Sequence, residues 1–307
     1  MTPTAAAPAP WRGIFAIPVT SFRPDGTVDD EGLRRQVGFC LAGGATGVVY
    51  PGVVSEFFAL DDDERRRATE VVVEAVAGRV PVVVGATAGS AGAAARLSAH
   101  AASIGADGVM ATLPPVQHLF TPDQDFVIGY YRTLAAGSDL PIVLQNARIG
   151  HPIPIGRLRE VVEAVPQVRY LKEETSPSTH QLTRAVDAVG DLLDGVFAGL
   201  GGVFLMSELD RGAAGSMPAP PYVDRLSAAH DLHAAGERVA AREVLAPLAP
   251  LFTFEMLYNV AVIKEVLVRR GVIEHTTCRT PAPHLDKTDL RELDELLEVA
   301  QLPTYSG

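Results

Sequence analysis

The chain has 307 residues, 47% hydrophobic and 21% charged, which is room for one large globular unit or two small ones with a sizeable core. Its formal net charge of −11 argues against nucleic acid or an anionic membrane as partner, since both are held by basic surface, and no apolar run approaches the roughly 20 residues that span a bilayer. Two cysteines, Cys40 and Cys278, are too few for a disulfide framework or a thiolate metal cage and read as packed thiols in a reduced, cytoplasmic setting.

The opening MTPTAAAPAPW has no basic segment followed by an apolar one, so residues 1–11 read as a disordered Ala/Pro tail rather than a signal peptide. From there short β-branched runs alternate with longer amphipathic ones. A strand at Ile14–Val19 is followed by a helix at Asp29–Ala42. The later pairs are Gly47–Tyr50 with Asp61–Ala77, Val80–Gly85 with Ala91–Ile104, and Gly108–Thr112 with Asp123–Ala136. Next come Ile142–Gln145 with Ile155–Val165, Val168–Lys172 with Thr179–Val189, Leu193–Phe197 with Gly202–Arg211, and a last strand at Ala214–Ser216. Thr121-x-x-Gln124 and Ser178-x-x-Gln181 have capping-box spacing at two helix starts. Eight near-continuous apolar strands alternating with helices predict an α/β protein, a parallel sheet closed as a (β/α)8 TIM barrel over residues 12–219. An open doubly wound sheet would need a glycine-rich phosphate turn after the first strand, and AIPVTSFRPDG is not one. Residues 220–307 then read as helix only, with helices at Tyr222–Ala235, Glu237–Phe254, Leu257–Arg270 and Leu285–Gln301; this C-terminal helical extension has no flexible linker and is expected to pack on the barrel.

Barrel enzymes place reactive groups at the C-terminal ends of strands. Lys172 ends the sixth strand, and of 26 basic residues only Lys172, Lys264 and Lys287 are lysines. A primary amine can lose its proton and attack a ketone to give an imine, which a guanidinium cannot. The alternative is a structural lysine paired with Glu173 or Glu174. Strand alternation puts Tyr170, Lys172 and Glu174 on one side and Leu171 and Glu173 on the other. Glu174 could then stabilise an iminium on Lys172 and accept a proton from the adjacent carbon, or simply form a rim ion pair.

The segments GIFAIPVTSFRPDGTVD, TGVVYPGVVSEFFALDDDER, GADGVMATLPP, LPIVLQNA, YLKEE, IKEVLVRRGVI and CRTP, in this order, resemble the dihydrodipicolinate synthase and N-acetylneuraminate lyase superfamily from Arg12 onward. The resemblance implies a (β/α)8 barrel whose lysine at the position of Lys172 forms a Schiff base with a 2-oxo acid, without cofactor or metal, in a homo-oligomer, usually a homotetramer. The departures are chemical. Gly52-Val53-Val54-Ser55-Glu56 stands where many members carry a hydroxyl-bearing loop, Gln145 where they carry a catalytic tyrosine, and Pro115-Val116-Gln117 where they often carry Pro-Tyr-Tyr. Valine passes no proton, and a glutamine amide is neither acid nor base. This disfavours dihydrodipicolinate synthesis and sialic acid cleavage by the usual relay.

Ser55-Glu56, Gln145-Asn146-Ala147 and Lys172-Glu173-Glu174 are similar to the 2-keto-3-deoxy-L-arabonate dehydratase branch, as is DRGAAGSM. That branch has Gly-Glu-Glu after the seventh strand, where this chain has Gly199-Leu200-Gly201. Losing two partners for sugar hydroxyls points to an apolar or smaller distal group on the substrate. The resemblance implies Lys172, Glu174 and Gln145 as catalytic residues and Val54, Ser55, Glu56, Asn146, Gly199, Gly215 and Ser216 as substrate contacts. Ser55 and the neighbouring amides could hold the substrate carboxylate, or Ser55 could satisfy its own turn; Glu56 could instead brace its loop. Arg148 could grip a carboxylate or be solvated. His230 and His233 show no metal spacing and read as surface residues. The expected function is a lyase acting through a lysine Schiff base on a 2-oxo acid, a 2-keto-3-deoxy sugar acid dehydratase. The alternatives are a pyruvate-dependent class I aldolase acting on a less hydroxylated substrate and a non-catalytic 2-oxo acid sensor.

Overall fold

The computed structural model describes residues 9–114 and 121–306. Eight strands alternate with helices along the chain: β1 Gly13–Ala16, α1 Asp30–Ala42, β2 Gly47–Tyr50, α2 Asp62–Val76, β3 Val82–Gly85, α3 Ala91–Ser103, β4 Gly108–Ala111 and α4 Gln124–Ala135. The second half continues with β5 Ile142–Asn146, α5 Ile155–Ala164, β6 Val168–Glu173, α6 Ser178–Val189, β7 Gly195–Ala198, α7 Leu205–Leu209 and β8 Gly215–Ser216. All neighbouring strands pair in parallel, and β8 returns to β1, closing the predicted barrel. Five helices follow: α8 Val223–Ala234, α9 Arg238–Leu245, α10 Ala249–Tyr258, α11 Val260–Arg269 and α12 Lys287–Ala300. No helix among the described residues is long and apolar enough to cross a membrane.

The strands are buried on both faces, which is why they read as continuous apolar runs rather than alternating ones. Their outward side chains, such as Val48, Val84 and Leu144, pack under the helix ring. Their inward side chains, among them Phe15, Val49, Met110, Val143, Tyr170 and Phe197, fill the barrel. Each such buried side chain stabilises by about 1.5–3 kcal/mol. The α8–α12 extension shares a third core with β1 and α1, in which Ile14, Val19 and Phe39 pack with Leu226, Leu251 and Val262.

One irregularity sets the face that Lys172 presents. Opposite Ile142–Val143 of β5, β6 carries an extra residue: Ile142 pairs with Val168 and Val143 with Tyr170, leaving Arg169 between them. Val168 packs outward with the helix ring and Tyr170 inward, so the bulge reverses the alternation and turns Tyr170 and Lys172 into the barrel.

Several expectations need correction. Of the segment read as a tail, residues 1–8 lie outside the described residues, but Trp11 is packed: its ring stacks on Tyr170 with centroids 4.4 Å apart, closing the barrel floor. Neither expected capping box forms. Asp123, a better acceptor two residues past Thr121, caps α4 by accepting from Phe126 N, and Ser178 is already helical, with Pro177 O accepting from Gln181 N. The helix expected at Glu237–Phe254 is broken into α9 and α10 by a 3₁₀ turn at Ala246–Leu248, because Pro247 and Pro250 have no N–H to return to the preceding turn. The Pro115-Val116-Gln117 segment lies outside the described residues.

Candidate active site

At the C-terminal end of the strands a cleft of about 380 Å³, the size of a small-molecule site, opens between the barrel mouth and α10. Lys172 and Glu174 enter it from β6 and its end, Gln145 from β5, and Arg148 and Ile149 from the following loop. Parallel pairing sets Gln145 directly beside Lys172, and Glu174 N donates to Asn146 O, carrying the ladder one residue past β6. Lys172 is 3% exposed, and its Nζ lies 3.1 Å from Glu174 Oε1. Gln145 Nε2 donates to Glu174 Oε2 at 2.6 Å, which fixes the carboxylate with one oxygen on the amide and the other on the amine. Glu174 therefore touches both Lys172 and Gln145 at the floor of the cleft.

Gly199 does not line the cleft; it makes room for Glu174. A Cβ at position 199 would lie 2.2 Å from Glu174 Cγ. Leu200 N, in the same turn, points at Glu174 Oε1 from 3.4 Å. Val54 lines the cleft, together with Val53.

The other expected substrate contacts are placed elsewhere. Ser55 is fully buried: its Oγ donates to Pro18 O at 2.6 Å and accepts from Gly52 N at 2.9 Å, so the hydroxyl is consumed by its own turn. Glu56 is also buried and braces its loop. Its Oε1 accepts from Lys264 Nζ at 2.6 Å, and its Oε2 accepts from Arg279 N, Thr280 N and Thr280 Oγ1, each at 2.8 Å. Asn146 points away from the cleft, closing the β5–α5 loop through both Ile153 N and Ile153 O, and donates to Glu173 Oε2 at 2.8 Å. Glu173 also accepts from Thr175 N and Thr175 Oγ1; burial pushes its carboxyl up, and these donors oppose the shift. Gly215 and Ser216 are buried in β8 below the cleft, and the residues that reach it are Met217 and Ala219, one and three positions further on. His233 is tied to Asp210 at 2.8 Å on the surface, and among the described residues no three His, Cys, Asp or Glu converge as metal ligands.

Sequence reasoning missed the far wall. Phe252, Glu255, Met256 and Asn259, at helical spacing on and just after α10, complete the cleft opposite the β6 end. A signal was available, since Glu255 is the lone charge in the apolar run PLFTFEMLYNVAV.

Residues 10–300 match the dihydrodipicolinate synthetase family. The chain is 29% identical over 284 residues to an L-2-keto-3-deoxyarabonate dehydratase of Azospirillum brasilense, covering 92% of each. It is also 29% identical over 300 residues to a 4-hydroxy-tetrahydrodipicolinate synthase of Methanothrix thermoacetophila, covering 95% of this chain and 98% of that one. A crystal structure of dihydrodipicolinate synthase from Rhodopseudomonas palustris superposes with a TM-score of 0.86 at 29% identity, over 95% of this chain and 99% of the other. With the closed barrel, the helical extension and the buried lysine at the end of β6 all inside the matched span, the chain belongs to the dihydrodipicolinate synthetase family of lyases.

Proposed function

We propose that the protein dehydrates a 2-keto-3-deoxy sugar acid or a related 2-oxo acid through a Schiff base on Lys172. The observation that carries this reading is the Lys172–Glu174–Gln145 contact at the floor of the cleft: a buried amine, a carboxylate 3.1 Å from it, and an amide that orients the carboxylate but cannot exchange a proton. Lys172 Nζ adds to the C2 ketone and water leaves, giving an iminium that draws electrons from C3. Glu174 takes the C3 proton, leaving an enamine, whose electrons expel the oxygen on C4 and form the C3–C4 double bond. Hydrolysis of the iminium frees Lys172. The backbone amides of Val53 and Val54, at the head of a 3₁₀ turn that borders the cleft, are the candidate holders of the substrate carboxylate. The resemblance in length and sequence to the Azospirillum brasilense dehydratase supports the same reading.

Borohydride trapping tests it. Incubation with pyruvate and reductant is expected to place a reduced adduct on the peptide containing Lys172 and none on Lys172→Arg. No adduct, or an adduct on Lys264 or Lys287, would remove the imine. Water loss without aldehyde release from a panel of 2-keto-3-deoxy acids separates dehydration from aldol cleavage, and binding without either product would mark a sensor.

A further inference from the structure

The far wall of the cleft carries a carboxyl that this chemistry has not yet used. Glu255 projects from α10 into the cleft, and among the described residues its side chain has no hydrogen-bond or ion-pair partner. Its surroundings are largely apolar: Val203, Phe204, Phe252 and Met256 line the same cleft. Its Oε1 lies 3.4 Å from where a Cβ at Gly201 would be, and Gly201, at φ +69, is two residues after Gly199, whose missing side chain admits Glu174. One short turn after β7 thus faces two carboxyls. Glu174 is held beside the amine by Gln145, and Glu255 stands free on the helical extension.

A carboxyl in apolar surroundings with no cation against it keeps its proton. Glu255 is half-buried on the cleft wall, and that burial pushes its carboxyl up to about 8. Among the described residues, the ionisable groups that face it or share its cleft are the buried Tyr222 hydroxyl beneath α10, Lys172 and Glu174 at the floor, and Arg148 at the mouth. We propose that Glu255 is the proton donor to the substrate's C4 oxygen, so that the site expels this oxygen as water rather than cleaving the C3–C4 bond.

The proposal rests on the imine chemistry above and decides between its two outcomes. Cleavage would need a base to take the proton of the C4 hydroxyl while the C3–C4 electron pair moves into the iminium. Dehydration needs an acid. As the enamine collapses, the C4–O bond breaks with its electron pair on oxygen, and the proton from Glu255 completes water. Glu174 ends protonated by the C3 proton and Glu255 ends ionised. One proton moves from Glu174 to Glu255 through solvent in the open cleft, and the cycle closes without oxidant or metal. The same acid revises the expectation of an apolar distal group: polarity absent from the β7 turn is supplied from α10 by Glu255 and Asn259.

The test uses the full-length protein, pyruvate, and two 2-oxo acids bearing a C4 hydroxyl, 4-hydroxy-2-oxopentanoate and a 3-deoxy-2-oxopentonate. Glu255→Gln is expected to keep the borohydride-trapped pyruvate adduct, because pyruvate has no C4 oxygen, while turnover of both hydroxylated acids falls by about 10²-fold or more. In the wild type kcat should decline above about pH 8 as Glu255 loses its proton, and this alkaline limb should be absent from Glu255→Gln, which a merely structural role would not produce. Glu255→Asp, retaining the acid, should recover part of the rate. Aldehyde release by the wild type, unchanged turnover in Glu255→Gln, or trapping of both hydroxylated acids without conversion would each overturn the assignment to Glu255. Absence of any pyruvate adduct in the wild type would instead overturn the imine and the role of Glu255 with it.

Discussion

Glu173 and Glu174 are adjacent, identical in chemistry and opposite in duty. Glu174 meets the amine inside the barrel, whereas Glu173 holds three donors from Asn146 and Thr175 on the outer side. Replacing Glu174 by Gln is expected to leave the trapped Lys172 adduct intact and to lower turnover by about 10²- to 10⁴-fold, the worth of a positioned base. Glu173→Gln should have a different signature. Its new NH₂ would face one of those donors, leaving a buried polar group unpaired at a cost of about 1–3 kcal/mol, so a lowered melting temperature is expected before any specific loss in kcat. Equal effects of both variants on kcat at unchanged stability would contradict this division. Strand period made the shared face of Lys172 and Glu174 legible, whereas Gln145 came only from the resemblance to a family that carries a tyrosine at its position. Sequence reasoning misassigned Ser55, Glu56 and Asn146, because whether a polar side chain near a site faces the ligand or its own loop depends on partners distant in the chain, such as Lys264, 208 residues from Glu56.

At the level of elements, the strands and most helices follow from the alternation of apolar runs, whereas the bulge at Arg169 does not announce itself in composition. The face on which Lys172 emerges was nevertheless read correctly, since the count started from the lysine and ran over residues after the bulge. The contribution of α10 was not legible, because an extension read as packing material gave no reason to look for a substrate contact there. Besides the shared apolar core, a buried ion pair ties that extension to the barrel: Lys264–Glu56, with side chains 0% and 2% exposed, joins α11 to the turn after β2. Lys264 also donates to Thr277 O and lies over the Phe22 ring. Lys264→Met should cost about 3–5 kcal/mol, because it leaves the Glu56 charge buried without its cation. Denaturant unfolding checks this, and a midpoint within error of the wild type would show that Arg279 and Thr280 alone satisfy Glu56.

For the molecule as a whole, retained acid protons give stability a direction with pH. Burial raises Glu208 to about 7, with the nearby charge of Glu174 adding to the shift, and raises Glu255 to about 8, against an ordinary value of 4.5. Between about pH 4.5 and 8 the folded chain therefore holds protons that the unfolded chain has released, so this contribution to stability is complete at the acid end and is lost as pH rises. The melting temperature is expected to fall from pH 5.5 to 8.5, and to fall less in a Glu208→Gln, Glu255→Gln double variant; a midpoint that rises across the same range in the wild type would contradict it. The stacked ring at the barrel floor has a further use. Trp11 is the only tryptophan in the chain, and it lies face to face with Tyr170, two residues before Lys172 on the same strand. Ultraviolet light absorbed by the tyrosines drains toward that single indole, so the intrinsic emission of the unlabelled protein is an optical gauge of the floor beneath the reactive amine, redder and dimmer whenever β6 and the ring below it part.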